Sequence, residues 1–326
     1  MKNKRAGSGA QAQRRYARIK KITAALLTAS IVLFLAVFFA FVPFRLLLPA
    51  YSVSAREEGE LRLHFLSLAG GVTVVEFPDG EVLVVNAGDG SFTSDNTLCK
   101  FLRALDMKSL SLLATCADSF HVGGMPALLE LFEAEKVYLP AFAPESAAYS
   151  RFLAAVEKEG CEQVKLSRYE TIVNGSGAYA VCLSPYSAEE ETVTEDDASA
   201  VLYLSYAGVN ILLSGDVTAR RERRLVGEYA LLHSVFDSGE YKVRLEETDI
   251  LLASSHGSDR GSSEEWLSLL DPSATVICCN RNERPSDNAL GRIVAASDHV
   301  YRTDELGAVT FTIKDGSYRV QTHVIE

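Results

Sequence analysis

The sequence lacks several short motifs that identify a chemistry on their own. Its six cysteines form no Cys-x-x-Cys pair, so neither a zinc ribbon nor a thioredoxin-like redox site is supported. There is no glycine-rich phosphate loop and no Gly-x-Ser-x-Gly nucleophile elbow. A short internal repeat and a low-complexity run are absent as well. We expect most of the cysteines to be buried small hydrophobic residues rather than a disulfide framework.

Charge is distributed unevenly along the chain. Residues 1–21 carry eight basic side chains and no acidic one, so the overall net charge of −11 leaves −19 on the remainder. Such an acidic body would repel a phosphate backbone, which disfavours avid nucleic-acid binding without excluding it. Hydrophobic residues make up 48% of the 326 residues and charged residues 23%, as in ordinary globular proteins. One large folded domain is therefore expected.

The longest apolar run, residues 22–44, contains no charged side chain. It exceeds the roughly 20 residues that span a bilayer, and the basic cluster of residues 1–21 precedes it. The positive-inside rule then places the N-terminus in the cytoplasm and the rest of the chain outside. We expect a single-pass cell-membrane protein with a basic cytoplasmic tail (1–21), a transmembrane anchor (22–44), a linker (45–60) and an extracytoplasmic domain (61–326). A cleaved signal peptide is the alternative, although secretory apolar cores are shorter, about 7–15 residues.

Beyond residue 60, strand-like and helix-like segments alternate in two successive halves. The β-branched runs 72–77 and 81–87 flank Pro78-Asp79-Gly80, which is typical of a hairpin. This order predicts a layered α/β domain. The predicted strands are 61–68, 72–77, 81–87, 111–116, 136–139, 179–184, 199–207, 209–215, 249–254, 274–279, 299–303 and 308–313. The predicted helices are 95–107, 124–134, 146–159, 219–232, 263–270 and 287–297.

Three further features have a structural interpretation. The acidic stretch 189–197 predicts a solvated loop. The arginine-rich segment 219–227 predicts a solvated helix face on which the arginines pair with Glu222 and Glu228. The single tryptophan, Trp266, is expected in the core.

Five segments, in order, resemble the metallo-β-lactamase-like domain found at the C-terminal end of the ComEC/Rec2 competence protein family. They are LHFLSLAGGVTVVEFPDGEVLVVNAGDG (63–90), LLATCADSFHVGGM (112–125), ILLSGDV (211–217), LLASSHGSDRGSS (251–263) and VYRTDELGAVTFTI (300–313). The resemblance implies an αββα metallo-β-lactamase-type sandwich preceded by one transmembrane helix.

The resemblance also implies a site for two divalent metals at strand ends between the two sheets, where the metals activate water and polarise the scissile bond. In the family, an L-T-H-x-H-x-D-H-x-G-G motif, the aspartate of a Gly-Asp turn and a later histidine supply the ligands. His121 aligns with the last histidine of the motif, Asp216 with the Gly-Asp turn and His256 with the later histidine. These three residues are the core of the candidate metal site.

The same alignment shows that the motif is eroded. Cys116 stands at the first histidine position, Asp118 at the second, and Phe120 where the family has an aspartate. Cysteine and aspartate are legitimate metal ligands, whereas a phenyl ring can neither coordinate a metal nor accept a proton. In the opening strands, Asn86 replaces a further aspartate. At least three positions of a two-metal site are thus substituted.

Three interpretations of this cleft stay open. The first is a pseudoenzyme: a catalytically impaired extracytoplasmic binding or scaffolding module without a cofactor. The second is a metal-dependent hydrolase, phosphodiesterase- or nuclease-like, whose altered single-metal site takes zinc or manganese. The third gives His121, Asp216 and His256 only capping and surface roles. The sequence favours the first, with the membrane and an unidentified extracytoplasmic protein or ligand as partners.

Overall fold

The chain divides into two compact units, Met1–Tyr51 and Ser52–Glu326. The predicted tail (1–21) and linker (45–60) lie largely outside the residues that the structure describes. The computed structural model describes residues 16, 18–34, 55–142, 145–185, 194–229, 242–280, 282 and 284–323.

In the first unit, residues 18–34 form a helix whose apolar side chains are exposed. Thr23 and Thr28 donate hydroxyl hydrogens to the carbonyl oxygens four residues earlier. Among the residues described, no helix is both long and apolar enough to cross a membrane. Residues 35–44 of the predicted anchor lie outside the described residues, so the anchor stays a prediction.

The second unit combines strands with shorter helices. Its strands are β1 (Leu61–Phe65), β2 (Thr73–Glu76), β3 (Glu81–Val85), β4 (Ser109–Leu113), β5 (Ala134–Leu139), β6 (Glu162–Lys165), β7 (Thr171–Gly175), β8 (Ala178–Ser184), β9 (Val201–Tyr206), β10 (Val209–Leu213), β11 (Ile250–Leu252), β12 (Ala274–Ile277), β13 (His299–Arg302), β14 (Ala308–Lys314) and β15 (Ser317–His323). Its helices are α1 (Phe92–Ala104), α2 (Ser119–Val122), α3 (Met125–Leu131), α4 (Ala147–Glu159), α5 (Ala219–Gly227), α6 (Glu264–Leu270), α7 (Asp287–Ala296) and α8 (Thr303–Leu306).

The strands form two sheets. The first has the order β15-β14-β1-β2-β3-β4-β5-β6, and the second the order β13-β12-β11-β10-β9-β8-β7. Strands β3 to β6 are parallel to one another, as are β10 to β13, whereas the remaining neighbours are antiparallel. Because the carboxyl ends of parallel strands lie at one edge of a sheet, the loops after β4, β10 and β11 can meet.

Alternation along the strands builds the core between the two sheets. Leu61, Leu63 and Phe65 of β1 belong to one buried cluster with Leu202 and Leu204 of β9. Intervening residues face outward, as period-two geometry requires. The predicted mixed α/β sandwich of two sheets is confirmed.

Helices cover the outer faces of both sheets. His64 on β1 contacts the ring of Phe101 on α1, with ring centroids 4.9 Å apart. On the second sheet, Tyr203 and Leu212 pack with Leu225 of α5 and Trp266 of α6. The prediction that Trp266 lies in the core is confirmed.

Local chemistry fixes several boundaries. The hairpin between β2 and β3 turns at Pro78-Asp79-Gly80 as predicted, and the Asp79 carboxylate accepts the main-chain N–H of Glu81 at 3.1 Å. Ser91 and Ser146 cap α1 and α4 by accepting main-chain N–H groups three residues later. These contacts explain why the predicted hairpin and both predicted helices occur close to their expected positions.

Two expectations about charged segments are wrong in part. Glu222 is fully buried and accepts the main-chain N–H groups of Ser262 and Ser263 at 2.6 and 2.8 Å, so it joins α5 to the start of α6 instead of pairing on the surface. Residues 189–193 of the predicted solvated loop lie outside the described residues. At its described end, Asp197 is buried instead of solvated and accepts the hydroxyl hydrogen of Thr218 at 2.5 Å. The predicted Glu228 pair does form, with Arg224.

Candidate metal centre

The turn after β10 places Asp216 between the two sheets. Ser199 accepts the main-chain N–H of Asp216 at 3.0 Å, which ties this turn to the segment before β9. Gly215 has a φ of +55°, and a Cβ there would lie 2.6 Å from the carbonyl oxygen of Ala200. Glycine is therefore required at position 215, and the next residue, Asp216, is buried.

His121 reaches the same point from the first sheet. It lies on α2, and the Asp118 carboxylate caps that helix by accepting the Phe120 N–H at 2.7 Å. The other Asp118 oxygen is 2.6 Å from Nδ1 of His121. The chain after α2 passes so close to the segment that follows β3 that position 124 must be glycine, because a Cβ there would lie 2.2 Å from the carbonyl oxygen of Ala87. The spacing of the motif thus serves both the capping and the orientation of His121.

His256 completes the cluster from the turn after β11. This residue and Ser255 adopt left-handed backbone conformations, with φ of +55° and +49°. Ser255 donates its hydroxyl hydrogen to the carbonyl oxygen of Asp216 at 2.8 Å. Nδ1 of His256 lies 2.9 Å from the carbonyl oxygen of Cys278, to which it donates. The turn therefore holds the imidazole with its Nε2 atom toward Asp216.

The three side chains converge at ligand distances. Nε2 of His121 is 3.4 Å from Oδ2 of Asp216, and Nε2 of His256 is 3.1 Å from Oδ1. One ligand atom from each residue lies within 4.8 Å of the others. In a tetrahedral site with bonds of about 2.0–2.1 Å, neighbouring ligand atoms lie about 3.3 Å apart. The observed separations match that spacing.

The hydrogen bonds behind the histidines select the tautomer that a metal needs. Each Nδ1 donates away from the cluster, His121 to Asp118 and His256 to the Cys278 carbonyl, so each neutral ring presents an unprotonated Nε2. Nε2 of His121 and Oδ1 of Asp216 are buried and make no hydrogen bond. Buried polar atoms without partners are costly. The residues present therefore fit one divalent cation.

The electrostatics agree with this grouping. Burial favours neutral groups, yet the carboxylates of Asp216 and Asp118 raise the pKa of His121 to about 10. Despite burial, Asp216 also raises the pKa of His256. Both histidines in turn hold the pKa of Asp216 well below its usual value, against its burial. Without a metal the cluster binds protons, so a metal must displace them and its affinity depends on pH.

A second metal position is poorly supplied. Cys116, Asp118 and His121 lie close together, but Asp118 already uses one oxygen for the Phe120 N–H and the other for His121. Burial, reinforced by Asp118, raises the pKa of the Cys116 thiol. Phe120 is 49% exposed and supplies no ligand atom. This cluster supports His121 rather than forming a second complete ligand set.

The cluster opens into a cavity of about 390 Å³. Two acidic and two basic residues that the sequence does not mark as site residues also line the cavity: Glu195, Asp196, Arg260 and Arg284. Arg260 forms an ion pair with Asp196. The only sequence signal for Glu195 and Asp196 is the acidic stretch 189–197. Nothing in the neighbouring sequence indicates that the end of this stretch lines the cavity.

The structure thus brings together the predicted His121, Asp216 and His256, with Asp118 and Cys116 beside them. Asn86 has a structural role instead: its side-chain oxygen accepts the main-chain N–H of Thr115 at 2.9 Å, and its amide donates to the Gly70 carbonyl at 3.0 Å.

Comparisons with known proteins identify relatives by sequence. No family model matches the chain. It is 23% identical over 253 residues to ComE operon protein 3 of Bacillus subtilis (strain 168), which covers 72% of this chain and 30% of that protein. It is 26% identical over 138 residues to competence protein ComA of Neisseria gonorrhoeae, covering 41% of this chain and 18% of that protein. The chain spans less than a third of the length of either relative.

Two solved structures are similar to the chain at low sequence identity. The metallo-β-lactamase fold protein YhfI from Bacillus subtilis is similar over 80% of this chain and 100% of its own, at 9% identity and a TM-score of 0.48. Zn²⁺-bound PqqB from Methylobacterium extorquens is similar over 78% and 99%, at 13% identity and a TM-score of 0.46.

The two sheets, their outer helices and the histidine–aspartate cluster at the strand ends agree with a metallo-β-lactamase-like domain. With the curated relatives, the domain is of the type found in ComEC competence proteins.

Proposed function

We propose that this chain is a membrane-anchored extracytoplasmic protein that holds one zinc or manganese ion with His121, Asp216 and His256 and hydrolyses phosphodiesters with that single metal. Two-metal hydrolysis is lost. The observation that carries the proposal is the orientation of His121 and His256. Each imidazole is held by a hydrogen bond at Nδ1 and directs its Nε2 atom at Asp216.

The residues around the cluster divide the work. A bound divalent cation supplies Lewis acidity that polarises a phosphoryl oxygen and lowers the pKa of water. Asp118 and the Cys278 carbonyl orient the two imidazoles. Arg260 and Arg284 on the cavity wall offer guanidinium groups, which suit an anionic ligand. The ComEC-type resemblance supports phosphodiesters as the substrate class.

A second candidate is a binding module that holds a metal without turnover. Phe120 favours it, since an apolar ring lines the cavity where the family has an aspartate. The two candidates agree on metal binding and differ in catalysis, so turnover by the metal-loaded chain separates them.

The proposed location rests on the apolar run 22–44 and its basic flank. The exposed apolar side chains of the described helix 18–34 agree with a lipid environment. Fusion of a reporter that is active only outside the cytoplasm, placed after residue 326, tests the orientation. A reporter that is active only in the cytoplasm would contradict it.

The metal proposal is tested by zinc titration of the full-length chain in detergent, monitored calorimetrically. We expect about one equivalent to bind in the wild type and none in His121→Ala or Asp216→Ala. His299→Ala is the matched control, because His299 is exposed on β13. Equal binding by all variants would reject the site. Hydrolysis of bis(4-nitrophenyl) phosphate by the loaded wild type then separates the hydrolase from the binding module.

A further inference from the structure

Among the carboxylates that line the cavity in the described part of the chain, Glu195 differs from the others. Asp118 uses both oxygens for Phe120 and His121, and Asp216 lies between the two histidines. Asp196 pairs with Arg260. Glu195 alone has no ion pair in this set, so its function is not explained by the metal cluster.

The local backbone leaves the Glu195 side chain available. The residue stands at the N-cap position of the 3-10 turn Asp196–Ala198, yet its side chain makes no capping hydrogen bond. Its Oε1 atom is buried without a hydrogen-bond partner, although the side chain lines the cavity. An acceptor in this state lacks a donor that a ligand or a water molecule would supply.

Neighbouring groups bring Glu195 close to the proposed reaction centre. Its main-chain carbonyl oxygen is 3.9 Å from Sγ of Cys116, which occupies the position of a family ligand. The same cavity wall contains His256 and Asp216. The Glu195 carboxylate therefore shares a cavity with the metal cluster.

We propose that Glu195 is a catalytic residue: the general base that accepts a proton from the attacking water in the cavity. This inference rests on the proposed function. The water oxygen forms a bond to phosphorus while the bond from phosphorus to the leaving oxygen breaks. One water proton passes to the Glu195 carboxylate, which returns it to the departing oxygen. Atoms and charge balance without a further reactant.

The environment suits this role. Burial and the nearby Asp118 raise the pKa of Glu195 above that of an ordinary glutamate, which makes its carboxylate a stronger proton acceptor. The family has an aspartate at the position where this chain has Phe120. Glu195, which lies between β8 and β9, would supply the carboxylate that this chain lacks there.

The test compares Glu195→Gln and Glu195→Asp with Glu264→Gln, a matched control at an exposed position on α6. All are full-length chains in detergent, loaded with zinc for hydrolysis of bis(4-nitrophenyl) phosphate and with cobalt for visible absorption. We expect Glu195→Gln to lower kcat by about 100-fold or more, the usual effect of removing a general base. KM and zinc stoichiometry should stay unchanged, the acidic limb of the pH–rate profile should disappear, and Glu195→Asp should recover part of the rate.

Cobalt absorption provides a readout that does not depend on turnover. The pH midpoint of the cobalt spectrum should shift in Glu195→Gln and not in Glu264→Gln. Unchanged kcat, or an unchanged midpoint, would overturn the role of Glu195 while leaving the metal site intact. Loss of zinc from Glu195→Gln would also overturn it, because the residue would then be a ligand. Failure of the wild type to bind any metal would instead overturn the proposed function, and this inference with it.

Discussion

Replacement of Asp118 by asparagine isolates the positioning of His121 from the folding of α2. The side-chain oxygen of asparagine can still accept the Phe120 N–H, as Asp118 does at 2.7 Å, so the helix cap is kept. The amide NH₂ then faces Nδ1 of His121, which lies 2.6 Å from the second carboxylate oxygen in the wild type. An NH₂ donor requires Nδ1 to be an acceptor. The ring proton moves to Nε2, which blocks the metal-binding lone pair.

The expected size of this effect follows from the same contact. Loss of the partner behind a metal-binding histidine typically weakens metal affinity by about 10–100-fold, or about 1.4–2.7 kcal/mol. Isothermal titration of zinc into Asp118→Asn, against a competing chelator, measures it. Asp106→Asn is the control, since Asp106 is exposed and is not among the residues that line the cavity. An affinity equal to that of the wild type would refute the reasoning about the tautomer.

Three further outcomes are expected. Phe120→Asp should tighten zinc binding by about tenfold or more, because it adds a carboxylate to the cavity wall, whereas Phe120→Leu should not; competitive titration measures both. With the metal removed by a chelator, the stability that His121 contributes is fully present below its unfolded pKa of about 6.5 and is lost as pH rises toward its folded pKa of about 10. The urea concentration at the unfolding midpoint should therefore fall over that pH range, and it should fall less in His121→Gln. Trp266→Ala should lower the free energy of unfolding by about 3–5 kcal/mol, measured by denaturant titration, because it empties a fully buried site between α6 and the second sheet; a loss under 1 kcal/mol would contradict that packing.

Features with a local cause were predictable from the sequence. The hairpin at Pro78-Asp79-Gly80 depends on neighbouring residues alone. Strands β10 and β12 are buried throughout and are apolar except for Asn210 and Thr275. Three strands were missed: β6 and β7 are short or interrupted by polar residues, and β15 alternates at an edge with little burial. Periodicity is weak where a strand buries little apolar surface.

The candidate site was predictable where motif order carries it and unpredictable where distant contacts do. His121, Asp216 and His256 could be placed by resemblance. The inward position of Glu195 and the burial of Glu222 could not, since the residues that contact them, Cys116 and Ser262, lie tens of residues away in the sequence. Asp118 was predicted as a candidate ligand, and its contact with Nδ1 of His121 indicates a supporting role.

The number of metal ions held by the chain is the most direct measurement of the central claim. Elemental analysis of the purified full-length chain, equilibrated with zinc or manganese and then freed of excess metal, should give about one ion per chain, falling to none in Asp216→Ala. Two ions per chain would mean that Cys116 and Asp118 complete a second site. No ion in the wild type would mean that the convergence of His121, Asp216 and His256 is structural alone.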